Sequence, residues 1–244
     1  MKNQVKLFIL LFAIVLVMHN ISCTVNIPHS PILVLATDNK FGSFTCEMLK
    51  TEGFNEFEMD SIKDIKITLK YLKNFDVIIL PQTSLTNSEK NILSNYVKDG
   101  GNLIAFKPDK KLSDVFGIID VGGIIAEGYI TVATNDEIGK GIISESLQLH
   151  GEADKYYPKS VKRIATLYSD EATSSEYPAV VLNDYGLGHA IDFLFNLPQS
   201  IGYTRQGVPL NGKDTRFINK SVKGSDYAFI TVKPGVNYSF IVTY

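Results

Sequence analysis

The hydrophobic pattern is most regular between Asp76 and Pro108. Four successive apolar residues, Val77 to Leu80, lie between a charged residue and a proline, which is typical of a strand buried on both faces of a parallel sheet. Asn102 to Phe106 is a second short strand pattern. Because a helix pattern separates the two, the stretch predicts a right-handed strand–helix–strand unit with parallel strands.

The predicted helix has a start signal and a stop signal. Thr86 and Glu89 have the spacing of a capping box, in which each side chain binds a backbone N–H group that the helix leaves free. Gly100 and Gly101 follow the last turn, and glycine readily adopts the left-handed conformation that ends a helix. The apolar residues between these signals recur at helical spacing: Ile92, Leu93, Tyr96 and Val97.

The same alternation begins earlier in the chain. Ile32 to Ala36 predicts the first buried strand, Phe41 to Gly53 the first helix and Asn55 to Asp60 a weaker strand. The inner face of a second helix is predicted from four residues: Ile62, Ile65, Leu69 and Leu72. Uninterrupted alternation of strands and helices predicts an α/β fold with a flavodoxin-like, doubly wound, mostly parallel sheet.

The second half of the chain predicts shorter elements. Tyr177 to Leu182 and His189 to Phe195 predict two strands joined by a glycine-containing turn. We also expect a short helix at 111–117, a strand or hairpin at 121–134, a polar loop at 150–154, a strand at 161–168 and a last helix at 197–203. Residues 31–205 therefore form one predicted domain. Residues 206–244 predict a linker and a β-hairpin around Pro234-Gly235.

The N-terminal residues 1–22 have the pattern of a secretory signal peptide. Lys2 and Lys6 precede an apolar run, Leu7 to Met18, which is short against the ~20 residues of a membrane-spanning helix. Ser22-Cys23 resembles the lipobox of bacterial lipoproteins, although Asn20 departs from its aliphatic preference. This resemblance implies a lipid anchor on Cys23, a tether at 23–30 and location at the cell envelope. Simple secretion and an uncleaved anchor remain alternatives.

Charge and cysteine content narrow the choice of partners. Without Lys2 and Lys6 the chain has 22 basic and 26 acidic residues, a net charge of −4, so we expect no nucleic-acid partner. Cys46 is the only cysteine besides Cys23, which excludes an internal disulfide framework. Because Cys46 lies within the first predicted helix, we interpret it as a small packed residue rather than a nucleophile.

Five segments resemble the class I glutamine amidotransferase-like superfamily, most closely its secreted branch related to ThuA-like and β-galactosidase-trimerisation domains. They are residues 41–57, 76–118, 147–158, 185–195 and 201–207. The resemblance implies the fold and also a nucleophilic Cys after the strand Asn102 to Phe106. This chain has Lys107-Pro108-Asp109 there, without Cys, Ser or small flanking residues. We therefore expect no glutamine hydrolysis, and His189 is interpreted as structural.

A ligand site is predicted at the carboxyl edge of the sheet. Asp38, Asn39 and Ser43 follow the first strand, and Lys107 and Asp109 follow the fourth. Parallel α/β sheets bind ligands at this edge, where helix N-termini offer free N–H groups. Loop capping by Asp38 and Asn39 is the alternative.

A second candidate site lies later in the chain. His150, Asp154 and Tyr156 resemble a His…Asp…Tyr segment of ThuA-like proteins, and one His with one carboxylate could contribute to a metal site or to a general acid–base pair. Zinc needs three or four ligands, and their spacing is missing, so we expect no metal and no cofactor. Arg205 either binds a carboxylate or sugar hydroxyl through its fork of donors or fixes the last helix.

Three functions follow as hypotheses. The favoured one is an exported, lipid-anchored binding or accessory module of the cell envelope, related to carbohydrate. The second is a hydrolase or sugar-processing enzyme; clustering of His150, Asp154, Asp38 and Lys107 would favour it, and burial of His150 in hydrogen bonds would favour the module. The third is a scaffold whose C-terminal hairpin pairs with a partner's sheet edge.

Overall fold

Strands and helices alternate through the first half of the chain. The computed structural model describes residues 29–36, 40–135 and 137–206. Its first elements are β1 (Ile32–Ala36), α1 (Lys40–Thr51), β2 (Phe57–Ser61), α2 (Leu69–Leu72), β3 (Val77–Leu80), α3 (Asn87–Lys98) and β4 (Asn102–Phe106). This is the predicted order of strands and helices.

The second half is dominated by strands. A 3-10 turn (Lys110–Leu112) precedes β5 (Ile118–Ala126), β6 (Tyr129–Val132), β7 (Leu147–Gln148), β8 (Glu152–Pro158), β9 (Lys162–Tyr168), β10 (Ser174–Tyr185), β11 (Gly188–Phe193) and α4 (Leu197–Gln206). The predicted strands at 161–168, 177–182 and 189–195 correspond to β9, β10 and β11.

Nine strands form one mixed sheet in the order β2-β1-β3-β4-β11-β10-β9-β6-β7. The first five are parallel and have the flavodoxin-like order, with β11 as the fifth strand. The remaining strands extend the sheet by antiparallel pairing. The predicted flavodoxin-like α/β fold is therefore confirmed. β5 and β8 form a separate antiparallel pair.

Helices cover both faces of the parallel half, because its strands are apolar on both sides. On one face α3 packs Leu93 and Val97 in the same core as Leu33 of β1. On the other, α1 places Met48 and Leu49 against Val34, and α4 lies beside α1. A third core lies under the antiparallel half and includes Phe195.

The predicted boundaries of α3 are confirmed in atomic detail. The Thr86 hydroxyl accepts from the Glu89 N–H group at 3.3 Å, and the Glu89 carboxylate accepts from the Thr86 N–H group at 2.6 Å. Gly100 has a φ of 110°. A Cβ on Gly101 would lie 2.3 Å from the Tyr96 ring, so the second glycine is needed for close packing.

Two predicted helices are shorter than their patterns suggest. Ile65 is 97% exposed, and α2 begins only after Thr68, whose hydroxyl caps the Tyr71 N–H group. The predicted helix at 111–117 is confined to the 3-10 turn, which Asp109 caps. The cap at Thr68 fixes a later start of α2 than the apolar spacing alone indicates. The 3-10 turn instead starts close to the predicted position and ends early, at Leu112.

Two strand predictions also need correction. The stretch 121–134 is not a hairpin, because β5 and β6 belong to different sheets. Glu127 has a φ of 49°, and a Cβ on Gly128 would meet the Tyr168 carbonyl oxygen at 2.5 Å; the chain changes sheets at this tight turn. The predicted loop at 150–154 is wrong from Glu152 onward, where β8 begins.

The predicted signal peptide, the Cys23 anchor and the C-terminal hairpin lie outside the described residues. Within the described ranges, the helices are all too short or too polar to cross a membrane.

Candidate functional site

The turn after β4 has a left-handed backbone at Lys107, with a φ of 46°. Its N–H group donates to the Phe193 carbonyl oxygen of β11 at 2.8 Å. Left-handed conformations of non-glycine residues cost free energy and are concentrated at functional sites. The lack of small flanking residues therefore does not prevent a strained turn here, contrary to the expectation from the sequence. The position carries the amine of Lys107 and neither a thiol nor a hydroxyl.

Two acidic residues of β8 hold the Lys107 side chain, which is 14% exposed. Its Nζ lies 3.2 Å from the Glu152 carbonyl oxygen, 3.4 Å from Glu152 Oε2 and 3.5 Å from Asp154 Oδ1. Alternate residues of a strand share a face, so β8 presents both acidic side chains on one side. We call Lys107, Glu152, Asp154 and Asp192 the Lys107 cluster.

Asp192, on β11, is the unexpected member of this cluster. It is 1% exposed, and among the described residues neither of its carboxylate oxygens has a hydrogen-bond partner. Burial, and secondly the nearby charge of Asp154, raise the pKa of Asp192 well above its ordinary value. The carboxyl is therefore neutral under conditions where exposed aspartates are charged.

β8 passes over the end of β11 and brings the two strands' side chains together. The Asp154 N–H group donates to the Leu194 carbonyl oxygen at 2.9 Å. Tyr156 is buried, and its pKa is raised by burial and then by the nearby acidic residues Asp154, Asp192 and Asp120. Asp192 thus lies within electrostatic range of Asp154 and Tyr156 of β8.

One signal in the sequence could have identified Asp192. It is the single charged residue in the apolar run Ala190 to Phe195. A charged side chain at the centre of a buried strand is costly unless it is paired or neutral. Such an interruption indicates a functional group more strongly than an acidic residue in a polar loop does.

His150 forms its hydrogen bonds with residues outside the Lys107 cluster. It is 8% exposed. Its ring Nδ1 lies 3.0 Å from Glu127 Oε2, and its backbone N–H group donates to the Ser200 hydroxyl at 3.0 Å. The Gly151 N–H group donates to the other Glu127 oxygen at 2.7 Å. His150 is therefore paired with Glu127, while Asp154 is paired with Lys107.

Asp109 has a structural role in the turn after Lys107. Its carboxylate accepts from the N–H groups of Leu85 and Lys111, both at 2.9 Å. Burial alone would raise its pKa, but these hydrogen bonds and the Lys111 charge hold the pKa below its usual range. Asp109 thus joins the loops that follow β3 and β4.

The other predicted ligand residues are not gathered around Lys107 in the described part. Ser43 is exposed on α1. Asp38 and Asn39 lie outside the described residues, as does the side chain of Arg205. The predicted edge is nevertheless polar: Asn196, which follows β11, donates to Gln82, which follows β3, at 2.8 Å.

The arrangement differs from a Cys–His–acid site. Cys46 is buried, with its Sγ 3.4 Å from Met59 Sδ, and burial raises the pKa of its thiol. His189 is paired with Asp184 at 2.8 Å, and its register with Asn102 places it at the amino edge of the sheet. Among the described residues, no group of three or more His, Cys, Asp and Glu side chains could hold a metal ion.

Comparison with solved structures supports a shared fold. A ThuA-like protein from Bacteroides uniformis has a TM-score of 0.51 and 15% sequence identity, with 68% of this chain and 80% of that chain covered. This similarity agrees with the predicted resemblance at the level of the fold. No protein-family model matches the sequence, and no curated protein matches it.

Two glycosidases are also similar. A β-galactosidase from Bacillus circulans sp. alkalophilus has a TM-score of 0.49 and 17% identity, covering 69% of this chain and 27% of that one. An exo-β-1,4-mannosidase from Opitutaceae bacterium strain TAV5 has a TM-score of 0.49 and 15% identity, covering 65% and 26%. This chain spans about a quarter of each glycosidase.

The neutral carboxyl of Asp192 predicts a pH-dependent stability. Unfolding exposes Asp192, whose pKa then falls to about 3.9, so above about pH 4 the unfolded state releases a proton that the folded state keeps. The free energy of unfolding should fall with pH, relative to Asp192→Asn, by up to about 1.4 kcal/mol per pH unit until the folded-state pKa is reached. Urea titrations of both proteins across pH measure this difference; parallel pH curves would contradict it.

The backbone at Lys107 predicts an unusual preference for glycine. Lys107→Ala and Lys107→Gly both remove the amine, but only glycine adopts the left-handed conformation without strain. In the alanine variant the left-handed backbone costs about 1–2 kcal/mol. This cost exceeds the roughly 0.4–1 kcal/mol by which glycine lowers the stability through the greater conformational entropy of the unfolded chain. We expect the glycine variant to be the more stable in urea unfolding. Lys110, in the 3-10 turn, is the matched control, where alanine should be the more stable. The same order of stability of the two variants at both positions would refute the left-handed backbone at Lys107.

Proposed function

We propose that this protein is an exported, lipid-anchored binding module of the cell envelope, of the glutamine amidotransferase-like type but without amidotransferase activity, and that its ligand is a carbohydrate. The observation that carries the proposal is the presence of Lys107 in the turn after β4. Lys107 stands where that chemistry needs a nucleophile, and Glu152 and Asp154 hold its amine. The turn therefore offers hydrogen-bonding groups in place of a nucleophile.

The chemistry of this edge suits hydroxyl groups. The Lys107 ammonium only donates, the carboxylates of Glu152 and Asp154 only accept, and a hydroxyl can do both. Side-chain amides of Gln82 and Asn196 lie after two of the parallel strands, and the carboxyl ends of parallel strands are the ligand-binding edge of such sheets. A polyhydroxyl ligand would use the donors and acceptors together.

Export and anchoring are supported by the sequence alone. The basic Lys2 and Lys6, the apolar run after them and the small residue before Cys23 form one consistent pattern. A lipid on Cys23 with the tether 23–30 would hold the domain close to the membrane surface.

A hydrolase or sugar-processing enzyme is the second candidate. The Asp154–Lys107 ion pair beside the buried Asp192 carboxyl supports it, since acid–base catalysis uses two carboxyls in different environments. The version centred on His150 and Asp154 is disfavoured, because His150 is buried against Glu127. Scaffolding through the C-terminal hairpin is the third candidate and concerns residues outside the described ranges.

A binding screen with matched variants tests the favoured function. Neutral oligosaccharides should raise the melting temperature of the full chain; at about 100 times Kd a ligand adds about 2.7 kcal/mol. Lys107→Met should weaken binding about tenfold or more, because it removes a charged donor. Lys159→Met, which breaks only the exposed pair with Asp114, should bind as the unchanged protein does.

Failure of every oligosaccharide to bind a well-folded chain would refute a carbohydrate ligand. Release of sugar from a bound oligosaccharide would support the enzyme instead of the module.

A labelling experiment tests the anchor. In a bacterial host that processes lipoproteins, the full chain should incorporate a labelled fatty acid and sediment with membranes. Cys23→Ser should lose the label, whereas Cys46→Ser should keep it, because Cys46 is buried in α1. Equal labelling of the Cys23→Ser variant would contradict lipidation at Cys23.

A further inference from the structure

The carboxyl of Asp192 lacks partners inside a well-packed sheet. Both of its oxygens are buried and form no hydrogen bond within the described ranges of the chain, although buried polar groups in proteins are nearly always satisfied. An apolar residue of similar size would fit the strand without this penalty, since Ala190 and Leu194 lie on the same side of β11. The retained carboxyl requires an explanation beyond packing.

The elements around Asp192 carry groups of both signs. Lys107 lies on the turn after β4, Asp154 and Tyr156 lie on β8, and Asp120 of β5 is paired with Lys110 at 2.8 Å. Asp154 is 16% exposed and Glu152 57% exposed. The cluster therefore continues from the buried carboxyl to the surface.

This composition limits what can bind. An ion of either sign would meet charges of its own sign: a cation those of Lys107 and Lys110, an anion those of Glu152, Asp154 and Asp120. A neutral hydroxyl group is compatible with both signs, because it donates to a carboxyl oxygen and accepts from an ammonium group.

Access to Asp192 requires a side chain to move. Asp192 is 1% exposed, and Lys107 reaches Asp154 and Glu152 through a flexible four-carbon stem. Displacement of the lysine amine from these carboxylates would free acceptors and leave the amine able to donate to the same ligand.

We propose that Asp192 forms the inner end of a subsite for one neutral hydroxyl group of the ligand, which bridges the Asp192 carboxyl and the Asp154–Lys107 pair. This inference rests on the proposed carbohydrate-binding function and deepens it. It assigns to Asp192 a binding role and to the site a preference for uncharged sugars.

The test compares two substitutions of Asp192 in the purified full-length chain. Asp192→Asn keeps a hydrogen-bonding group of the same shape, and Asp192→Leu removes it. The probes are neutral gluco-, galacto- and manno-oligosaccharides, with oligomers of galacturonic acid and of glucosamine as charged counterparts. Binding is measured by calorimetry and folding by the melting temperature, with exposed Asp184→Asn as the control.

We expect the neutral oligomers to bind best. Asp192→Asn should stay within about threefold of the unchanged protein, and Asp192→Leu should bind about tenfold or more weakly. The melting temperature of Asp192→Leu should equal or exceed that of the unchanged protein, because no internal hydrogen bond is lost. This combination separates a binding role from a structural one.

Three results would overturn the inference. Unchanged affinity of Asp192→Leu would remove Asp192 from the site while leaving the proposed function intact. A lower melting temperature of Asp192→Leu, with Asp192→Asn unaffected, would show that the carboxyl serves the fold. Lack of binding by every oligomer to the unchanged protein would refute the proposed function itself, and this inference with it.

Discussion

The parallel pairing of β11 with β4 is the interaction on which the arrangement of the molecule depends. His189 to Phe193 lie in register with Asn102 to Phe106, so a strand from late in the chain completes a parallel sheet begun much earlier. Its other edge pairs with β10 in the antiparallel direction. One strand thereby joins the two halves of the sheet, and the Lys107 turn is attached to it through the Phe193 carbonyl.

The Lys107 cluster contains one charged group that is paired and one buried carboxyl that is not. A buried ion pair compensates its own desolvation only when its geometry is good and its remaining hydrogen bonds are made. Lys107 contacts two acidic side chains and a carbonyl oxygen, whereas the Asp192 carboxyl has no hydrogen-bond partner in the part of the chain that the structure describes. Neutralisation of Asp192 lowers the free-energy cost of burying it, but its carboxyl group still makes no hydrogen bond with the described residues. The cluster combines a satisfied outer part with an unsatisfied inner part.

Sequence patterns predicted the parallel half well because its signals are local. The apolar run Val77 to Leu80 and the capping pair Thr86 and Glu89 identify a buried strand and a helix start without tertiary information. The separation of β5 from β6 was not predictable in this way, because it depends on the close approach of Gly128 to Tyr168 of β9. Ile65 had helical spacing, yet the cap at Thr68 decided where α2 begins.

The candidate site was only partly visible for the same reason. Lys107 and Asp154 were each singled out from the sequence, but their contact depends on the crossing of β8 over the end of β11. His150 was grouped with Asp154 by proximity in sequence, and the turn at Glu127 gives it a different partner. Asp192 was embedded in an apolar run, and its lack of partners is a property of the folded sheet.

The late insertion of β11 has a consequence for folding during synthesis. β1 to β4 and their helices can assemble from local units as soon as they are made, but the β4 edge beside them then has no neighbouring strand. Unpaired edges of apolar strands promote association between chains. The nascent protein carries this exposed edge until β11 has been synthesised and has closed the centre of the sheet. Closure of a long intervening loop is slow compared with local helix formation, so the interval before β11 docks is when the chain is most prone to aggregate.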